Sequence, residues 1–492
     1  MKKNDCSRKE QKKNPGFLLS AISSNSGKTA SACGLMSAFL QNGKCIRACK
    51  CGPDYIDPMF HREVLGIDSK NLDLFFSDEE KLRVGYLRHT LGAELTITEG
   101  VMGFYDGMSL DSVKGSSYDV AQTLGLPVIL VINARGAAMT LAAVVKGIVE
   151  FRSDSNIRGI LLNRVSAMLY PRLKEMLENE LARIGHDEIK IVGYMPENEV
   201  FHLESRHLGL VTPQEMESLQ EKVKRAGEIL AKTVDLELLE KIAGEAAVWK
   251  TEVIEESEKV GNLKSKNDPV RIAVARDEAF CFYYKDNLEL LESLGCEVIE
   301  FSPLRDEKLP DNISGLILGG GYPELYGKQL SENQSMLTSI RKALMQEKIP
   351  CLAECGGFMY LHEEMEDADG NVWKLVGRIH GKTFPTGKLV RFGYVNLQRS
   401  PDENPISEFK EQKSLANSWI LPGENIRAHE FHYWDSTDSG NDCLAVKPDG
   451  KRRWECMHLE ENLVAGYPHL YYPSCKEFAE RFVEKCRSGY RE

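Results

Sequence analysis

Between residues 16 and 196, short apolar and β-branched runs recur, and stretches of helical period separate most of them. The runs are GFLLSAI (16–22), KCIRACKC (44–51), ELTITEG (94–100), PVILVIN (127–133), IRGILLNRV (157–165) and IKIVGYMP (189–196); helical stretches include 30–42 and 137–150. Strand and helix in alternation demand parallel pairing, with helices on both faces of the sheet. From about residue 216 to 264 the chain turns helical and charged, and EESEKVGNLKSKND lacks apolar anchors, as a linker does. The alternation restarts with PVRIAVAR (269–276), CEVIEF (296–301), ISGLILGGG (313–321) and IPCLAEC (349–355). A chain of 492 residues exceeds one ordinary core. The expected architecture is α/β in two domains: a basic tail over 1–15, a first domain over 16–245, a linker over 246–268 and a second domain over 269–490.

Composition narrows the class. A net charge of −12 argues against a nucleic-acid partner. The 13 cysteines follow no repeating frame, which predicts reduced thiols of a cytoplasmic protein. Cys45, Cys49 and Cys51 lack a zinc spacing and read as thiols buried on a strand. The basic N-terminus has no apolar segment behind it that resembles a signal sequence. The most apolar stretch, LGLPVILVINARGAAMTLAAVV, is interrupted by Pro127, Asn133 and Arg135, so it reads as strand, loop and helix and not as a membrane span.

Three local motifs carry chemistry. SNSGKT, between a buried run and a helical stretch, is placed as a phosphate-binding loop. Ser26, Gly27 and the helix N-terminus would hold phosphates, Lys28 would carry charge to the β/γ-phosphates, and Thr29 would ligate Mg²⁺. The usual opening glycine is replaced by Ala21 or Ile22, depending on loop length, and Asn25 tolerates positive φ. KCGPDYIDPMFH and TITEGVMGFYDG each leave a strand end, so Asp54, Asp57 and Glu99 can converge on the loop as hard oxygen ligands. In the second half, IPCLAECGGFMYL places Cys355 on a strand-to-helix turn, where the helix N-terminus is expected to lower its pKa. Gly356 allows backbone N–H groups to reach an oxyanion, and Gly320 and Gly321 of LILGGGYPEL offer a second donor loop. His429, His432 and His469 are all candidates for the base that a cysteine nucleophile needs.

The order SNSGKT, KCGPDYIDPMFH, NLDLFF, TEGVMGFYDG, SRHLGLV, GGGYPEL, AECGGFMYL, RFGY, HEFHYW, GYPHL resembles that of the cobyrinate a,c-diamide synthases across nearly the whole chain. That resemblance implies a dethiobiotin-synthetase-like P-loop ATPase domain with a parallel sheet, fused to a class I glutamine amidotransferase-like α/β domain. It implies ATP as co-substrate, bound by the phosphate loop with Lys50 and Asn163, and Mg²⁺ on Thr29, Asp54 and Glu99. It implies that Asp54, Tyr55, Asp57 and His61 face the substrate, that Cys355 is the glutaminase nucleophile, and that His469 is its base. Asn133, Gly466, Pro468 and Tyr471 depart from the residues common in the family.

The implied partners are cobyrinate, L-glutamine and ATP, with room for a homodimer. ATP would convert a carboxylate into an acyl phosphate, and ammonia released by Cys355 would travel a protected path between the domains. The acceptor would be amidated at its a and c acetate groups on the anaerobic cobalamin route, with Arg206 and His207 of SRHLGL as candidate anion contacts. Hydrogenobyrinate and nickel sirohydrochlorin are the alternative acceptors. A rival of another class is a P-loop ATPase switch with an inert amidotransferase-like domain. Such switches carry a lysine five residues before Lys28, where Ser23 stands here.

Overall fold

The computed structural model describes residues 14–202, 213–249, 269–400 and 418–489. The chain divides into two compact units, Met1–Glu256 and Ser257–Glu492. Arg206 and His207 lie outside the described residues, as do nearly all of the basic tail and residues 250–268 of the expected linker. The chain stays packed on the first unit as far as Trp249, whose indole Nε1–H donates to the Leu124 carbonyl at 3.1 Å.

The first unit is built on seven strands: β1 (Gly16–Ala21), β2 (Ile46–Cys51), β3 (Ser69–Leu72), β4 (Leu95–Glu99), β5 (Val128–Asn133), β6 (Ile157–Asn163) and β7 (Lys190–Met195). Their order is β3-β2-β4-β1-β5-β6-β7, and every pairing is parallel. Continuous apolar runs such as LLSA and VILVI suit strands covered on both faces, and both are wholly buried. Each expected strand is present, trimmed by a residue or two at its ends. β3 was not expected: its sequence, SKNL, has neither alternation nor β-branching, yet it pairs along β2 at the edge of the sheet.

Two helices position residues of interest. α1 (Lys28–Gln41) starts directly after the phosphate loop, and α2 (Ile56–Glu63) starts after the Gly-Pro turn that follows β2. The loop itself needs left-handed backbone at Asn25 (φ 60°) and Gly27 (φ 93°), a conformation open to asparagine and glycine.

The second unit has a six-stranded sheet containing β8 (Val270–Ala275), β9 (Cys296–Phe301), β10 (Gly315–Leu318) and β11 (Cys351–Glu354). The strand Leu463–Gly466 pairs parallel to β11, and β8, β9, β10 and β11 are parallel to their neighbours as expected. The expectation for this domain did not extend to its two further sheets, the first mixed and the second antiparallel. One has four strands, and the other has five, in the order Arg453–Cys456, Cys443–Val446, Arg391–Arg399, Ile426–His432, His469–Leu470.

Among the described residues, 11 cysteines carry free thiols. Cys45 Sγ lies 3.9 Å from the Gly92 carbonyl oxygen. Cys45 is half-buried just before β2, whereas Cys49 and Cys51 are enclosed within that strand. No described helix is long and apolar enough to cross a membrane.

Candidate functional site

In the first unit, β1, β2 and β4 end at the same edge of the sheet, so the residues at their carboxyl ends meet. Lys50 and Glu99 are direct cross-strand partners. Lys50 Nζ lies 2.7 Å from Asp57 Oδ2 and 3.0 Å from Glu99 Oε1, and it also donates to the Gly100 carbonyl at 3.1 Å. Thr29 Oγ1 donates to Glu99 Oε1 at 2.6 Å, which ties the start of α1 to the end of β4. His61 Nε2 stands 3.6 Å from Glu99 Oε2, and its Nδ1 is 3.0 Å from Ser69 Oγ on β3. The polar, unpatterned edge strand thus has a use: it anchors a side chain of the cluster.

Burial sets the charge states. It opposes ionisation of Glu99, but the Lys50 ammonium and the contacts from His61 and Thr29 outweigh it and hold the carboxyl well below its usual range. Burial likewise opposes the charge on Lys50, and Asp57, Glu99 and Asp54 together overcome it and raise the ammonium's pKa. Asp54 behaves oppositely. Burial and the negative charge of Asp57 push it up to about 7.

These positions correct part of the sequence reading. Asp57 and His61 were expected to face a substrate, but they are 1% and 0% exposed. The first turn of α2 points Asp57 inward at Lys50, so Asp57 and His61 are positioning residues for Lys50 and Glu99. Asp54 and Tyr55 are half-buried on the loop before α2, with the Tyr55 hydroxyl enclosed. Asp57→Asn leaves the buried Lys50 with one carboxylate fewer, and it is expected to cost on the order of 3 kcal/mol, read as a lower urea midpoint with unchanged slope.

Lys28 Nζ donates to the carbonyls of Ser23, at 2.9 Å, and Met102, at 2.5 Å, across the mouth of the loop. Ser26 Oγ lies 3.1 Å from Ser23 Oγ. Asn163, from the end of β6, donates to the Ser26 carbonyl at 2.9 Å. A Cβ on Gly27 would sit 2.3 Å from the Asn163 amide nitrogen, so this asparagine holds the loop as well as lying where a base could be read. Thr29 Oγ1 and the Glu99 carboxylate offer hard oxygens beside the loop, and Glu99 Oε2 is buried with no hydrogen-bond partner. Asp54 is a third oxygen donor from the same strand edge. No cage of three or more acidic, His or Cys side chains forms among the described residues. A Mg²⁺ that shares its ligands with nucleotide phosphates and water needs no such cage, and the donor set fits it.

In the second unit, Cys355 follows β11 with φ 49° and ψ −105°, a strained conformation that costs roughly 1–3 kcal/mol. Its backbone N–H donates to the Gly466 carbonyl at 2.8 Å. The helix Gly356–Tyr360 begins at once. A Cβ on Gly357 would lie 2.0 Å from the Leu318 carbonyl oxygen, and one on Gly356 would lie 3.1 Å from the Gly321 nitrogen. Only glycines let the two candidate oxyanion loops approach this closely.

The thiol's charge state is the second correction. Burial comes first, with Glu324 and Glu430 adding to it, and together they push the Cys355 thiol up despite the Gly356 N–H. A helix of five residues does not reverse that, so the resting residue is a thiol that requires a base.

His469 opens the short strand His469–Leu470. It stands three residues after Gly466, and its ring packs on Gly320, where a Cβ would lie 2.3 Å from Cε1. Burial, with His429 and His432 nearby, lowers its pKa to about 3, so the ring is neutral. The other candidates are otherwise engaged. His432 stacks on Tyr467 at 4.0 Å, with Nδ1 2.7 Å from the Trp434 carbonyl and Nε2 3.3 Å from Glu430. His429 packs edge-on to Phe392 and Tyr394. Gly320→Ala would displace the His469 ring, and an expected loss on the order of 10²-fold in glutamine hydrolysis, with synthesis from ammonium salt retained, checks this placement.

Sequence reasoning missed the supports of this loop. Glu354, directly before Cys355, accepts from the Tyr472 hydroxyl at 3.0 Å, and burial pushes its carboxyl up to about 8. Asn287 donates to the Leu470 carbonyl at 2.7 Å and accepts from the Tyr472 N–H at 2.9 Å. The available signal was a carboxylate at the end of an otherwise apolar strand.

Two domain families match this chain: the CobQ/CobB/MinD/ParA nucleotide binding domain over residues 17–211, and the CobB/CobQ-like glutamine amidotransferase domain over residues 271–475. The chain is 39% identical to the cobyrinate a,c-diamide synthase of Clostridium tetani over 95% of this chain and 99% of that one. It is 37% identical to the enzyme of that name from Caldanaerobacter subterraneus subsp. tengcongensis, over 97% and 99%. For the enzyme of that name from Priestia megaterium the figures are 33%, 97% and 98%.

Proposed function

The chain belongs to the cobyrinate a,c-diamide synthases, and we propose that it amidates the a and c acetate carboxylates of cobyrinate with nitrogen from glutamine and energy from ATP. It is a ligase of cobalamin biosynthesis. What supports the reading most is one pairing within one chain: a phosphate loop beside a lysine–carboxylate cluster, and a strained cysteine turn beside a neutral buried histidine.

A carboxylate does not react with ammonia at neutral pH, because its oxygen leaves too poorly. Transfer of the γ-phosphoryl group to that oxygen gives an acyl phosphate, and the protein's task is positioning and charge stabilisation. Lys28 leaves its two carbonyl partners for the phosphates, assisted by the N–H groups at the start of α1. Lys50, oriented by Asp57 and Glu99, supplies a second fixed cation. Thr29, Glu99 and Asp54 would hold Mg²⁺, which when bound neutralises phosphate charge. Asn163 fixes the loop at Ser26 and borders the base.

In the second unit, His469 takes the Cys355 proton as sulfur attacks the glutamine side-chain amide. The N–H groups of Gly321 and Gly356 receive the oxyanion. The C–N bond breaks, His469 returns the proton to the departing nitrogen, and water clears the thioester as glutamate. Ammonia attacks the acyl phosphate, which leaves as phosphate.

The test is mass spectrometry of the macrocycle after incubation with protein, glutamine and Mg-ATP. Cobyrinate, hydrogenobyrinate and nickel sirohydrochlorin are run side by side. Two carboxylate-to-amide conversions on cobyrinate are expected. Conversion of another macrocycle alone would replace the acceptor, and ATP hydrolysis with no amidation of any would favour a nucleotide switch.

A further inference from the structure

The five-stranded antiparallel sheet has two unlike edges. His469 lies at one. At the other, the strand Arg453–Cys456 and the turn before it close a cavity of about 630 Å³ against the start of the strand Arg391–Arg399. Five cations line it: Arg391, Lys447, Lys451, Arg452 and Arg453. Four are exposed and Lys447 is half-buried. Among the described residues none of the five forms an ion pair, although the same unit pairs most of its other surface arginines and lysines. In a chain of net charge −12, this concentration is against the trend.

The cavity also has an aromatic floor. The Arg391 guanidinium stands 4.9 Å from the centre of the Trp454 ring, and Lys447 Nζ stands 5.8 Å from it. Phe392, next along the strand and so on its other face, packs edge-on to His429 and Phe431. Burial lowers the Lys447 pKa, and Arg452 and Arg391 add to that, against the opposing pull of Glu430 and Asp449. Lys447 Nζ donates to the Phe392 carbonyl and Arg391 Nη1 to that of Val390 at 3.0 Å, and five cations with no ion pair among the described residues favour an anion. Their spread matters too. A single phosphate can be reached by two or three of them, whereas five around a flat aromatic surface match several carboxylates around a flat body. The volume lies within the usual range of ligand pockets.

We propose that this pocket binds a polycarboxylate with a flat apolar body, which for this chain is the macrocyclic acceptor. The identity of the ligand rests on the acceptor proposed above; the chemistry of the pocket does not. The flat body would lie over the Arg391–Trp454 pair, with peripheral carboxylates on the surrounding cations. The pocket's nearest strand, Arg391–Arg399, is separated from that of His469 by one strand, Ile426–His432. The pocket gives the amidotransferase unit its own hold on the acceptor.

The experiment uses the full chain and the double variant Lys451→Glu with Arg453→Glu. Cobyrinate is titrated by tryptophan fluorescence, and uroporphyrin, an octacarboxylate porphyrin, is titrated separately. Hydrogen exchange over 389–392 and 447–454 is followed with each ligand. Expected are slower exchange in those segments and a rise in Kd of at least tenfold for both ligands in the double variant. Arg391→Gln, which carries no charge reversal, should raise Kd severalfold and guards against a folding defect in the double variant. Equal binding by wild type and both variants, or no protection of the two segments, would overturn the proposal. If the wild type amidates no macrocycle, the acceptor reading fails, while the uroporphyrin titration still decides the pocket.

Discussion

Replacing Cys355 with alanine is expected to lower glutamine-dependent synthesis by about 10³-fold or more, while synthesis from ammonium salt stays near that of the wild type. The size follows from the chemistry: without sulfur there is no thioester, and water attacks an amide far more slowly. The selectivity follows from the placement. Cys355 belongs to the second unit, and the phosphate-loop cluster belongs wholly to the first. Product formation with each nitrogen source, measured side by side, checks the point. Equal loss with both sources would remove Cys355 from ammonia production and make it structural. Retained synthesis with glutamine would sink the nucleophile assignment outright. The backbone favours the functional role, since a non-glycine residue at φ 49° at the end of a strand is retained at an energetic cost.

Lys28→Ala should give the complementary result: a loss on the order of 10²–10³-fold with glutamine and with ammonium salt alike. Acyl-phosphate formation precedes attack by ammonia whatever its origin, so no nitrogen source bypasses it. The side chain is buried at the mouth of the loop and donates to the backbone carbonyls of Ser23 and Met102. Its removal therefore leaves the Lys50–Asp57–Glu99 core intact. Rescue by ammonium salt would show that Lys28 serves glutamine handling and not phosphate.

Much of this was legible in the chain. Strong apolar periodicity gave the seven-stranded order of alternation except β3, because SKNL contains no pattern that distinguishes a short edge strand from a loop. The phosphate loop, Glu99 and Cys355 sit in local contexts that sequence displays directly: strand, tight turn, helix. Asp57 and His61 could not be placed in the same way. An acidic or histidine side chain on the first turns of a short helix reads alike whether it faces solvent or a buried lysine, and the lysine arrives from β2. The charge state of Cys355 failed for a related reason. The turn is local, but Glu324 and Glu430, which help raise the thiol, come from distant segments. The two further sheets of the second unit were missed because their strands carry interrupted, polar-rich patterns such as RFGYVNLQR.

The resting state of Cys355 has a consequence for the life of the protein between turnovers. Alkylating agents and peroxides react with thiolates, and a cysteine that is 7% exposed and held protonated presents almost none. In the proposed mechanism the thiolate forms as His469 takes its proton and sulfur attacks glutamine. The same enclosure that makes the residue slow to ionise keeps it from being consumed by reagents other than its substrate.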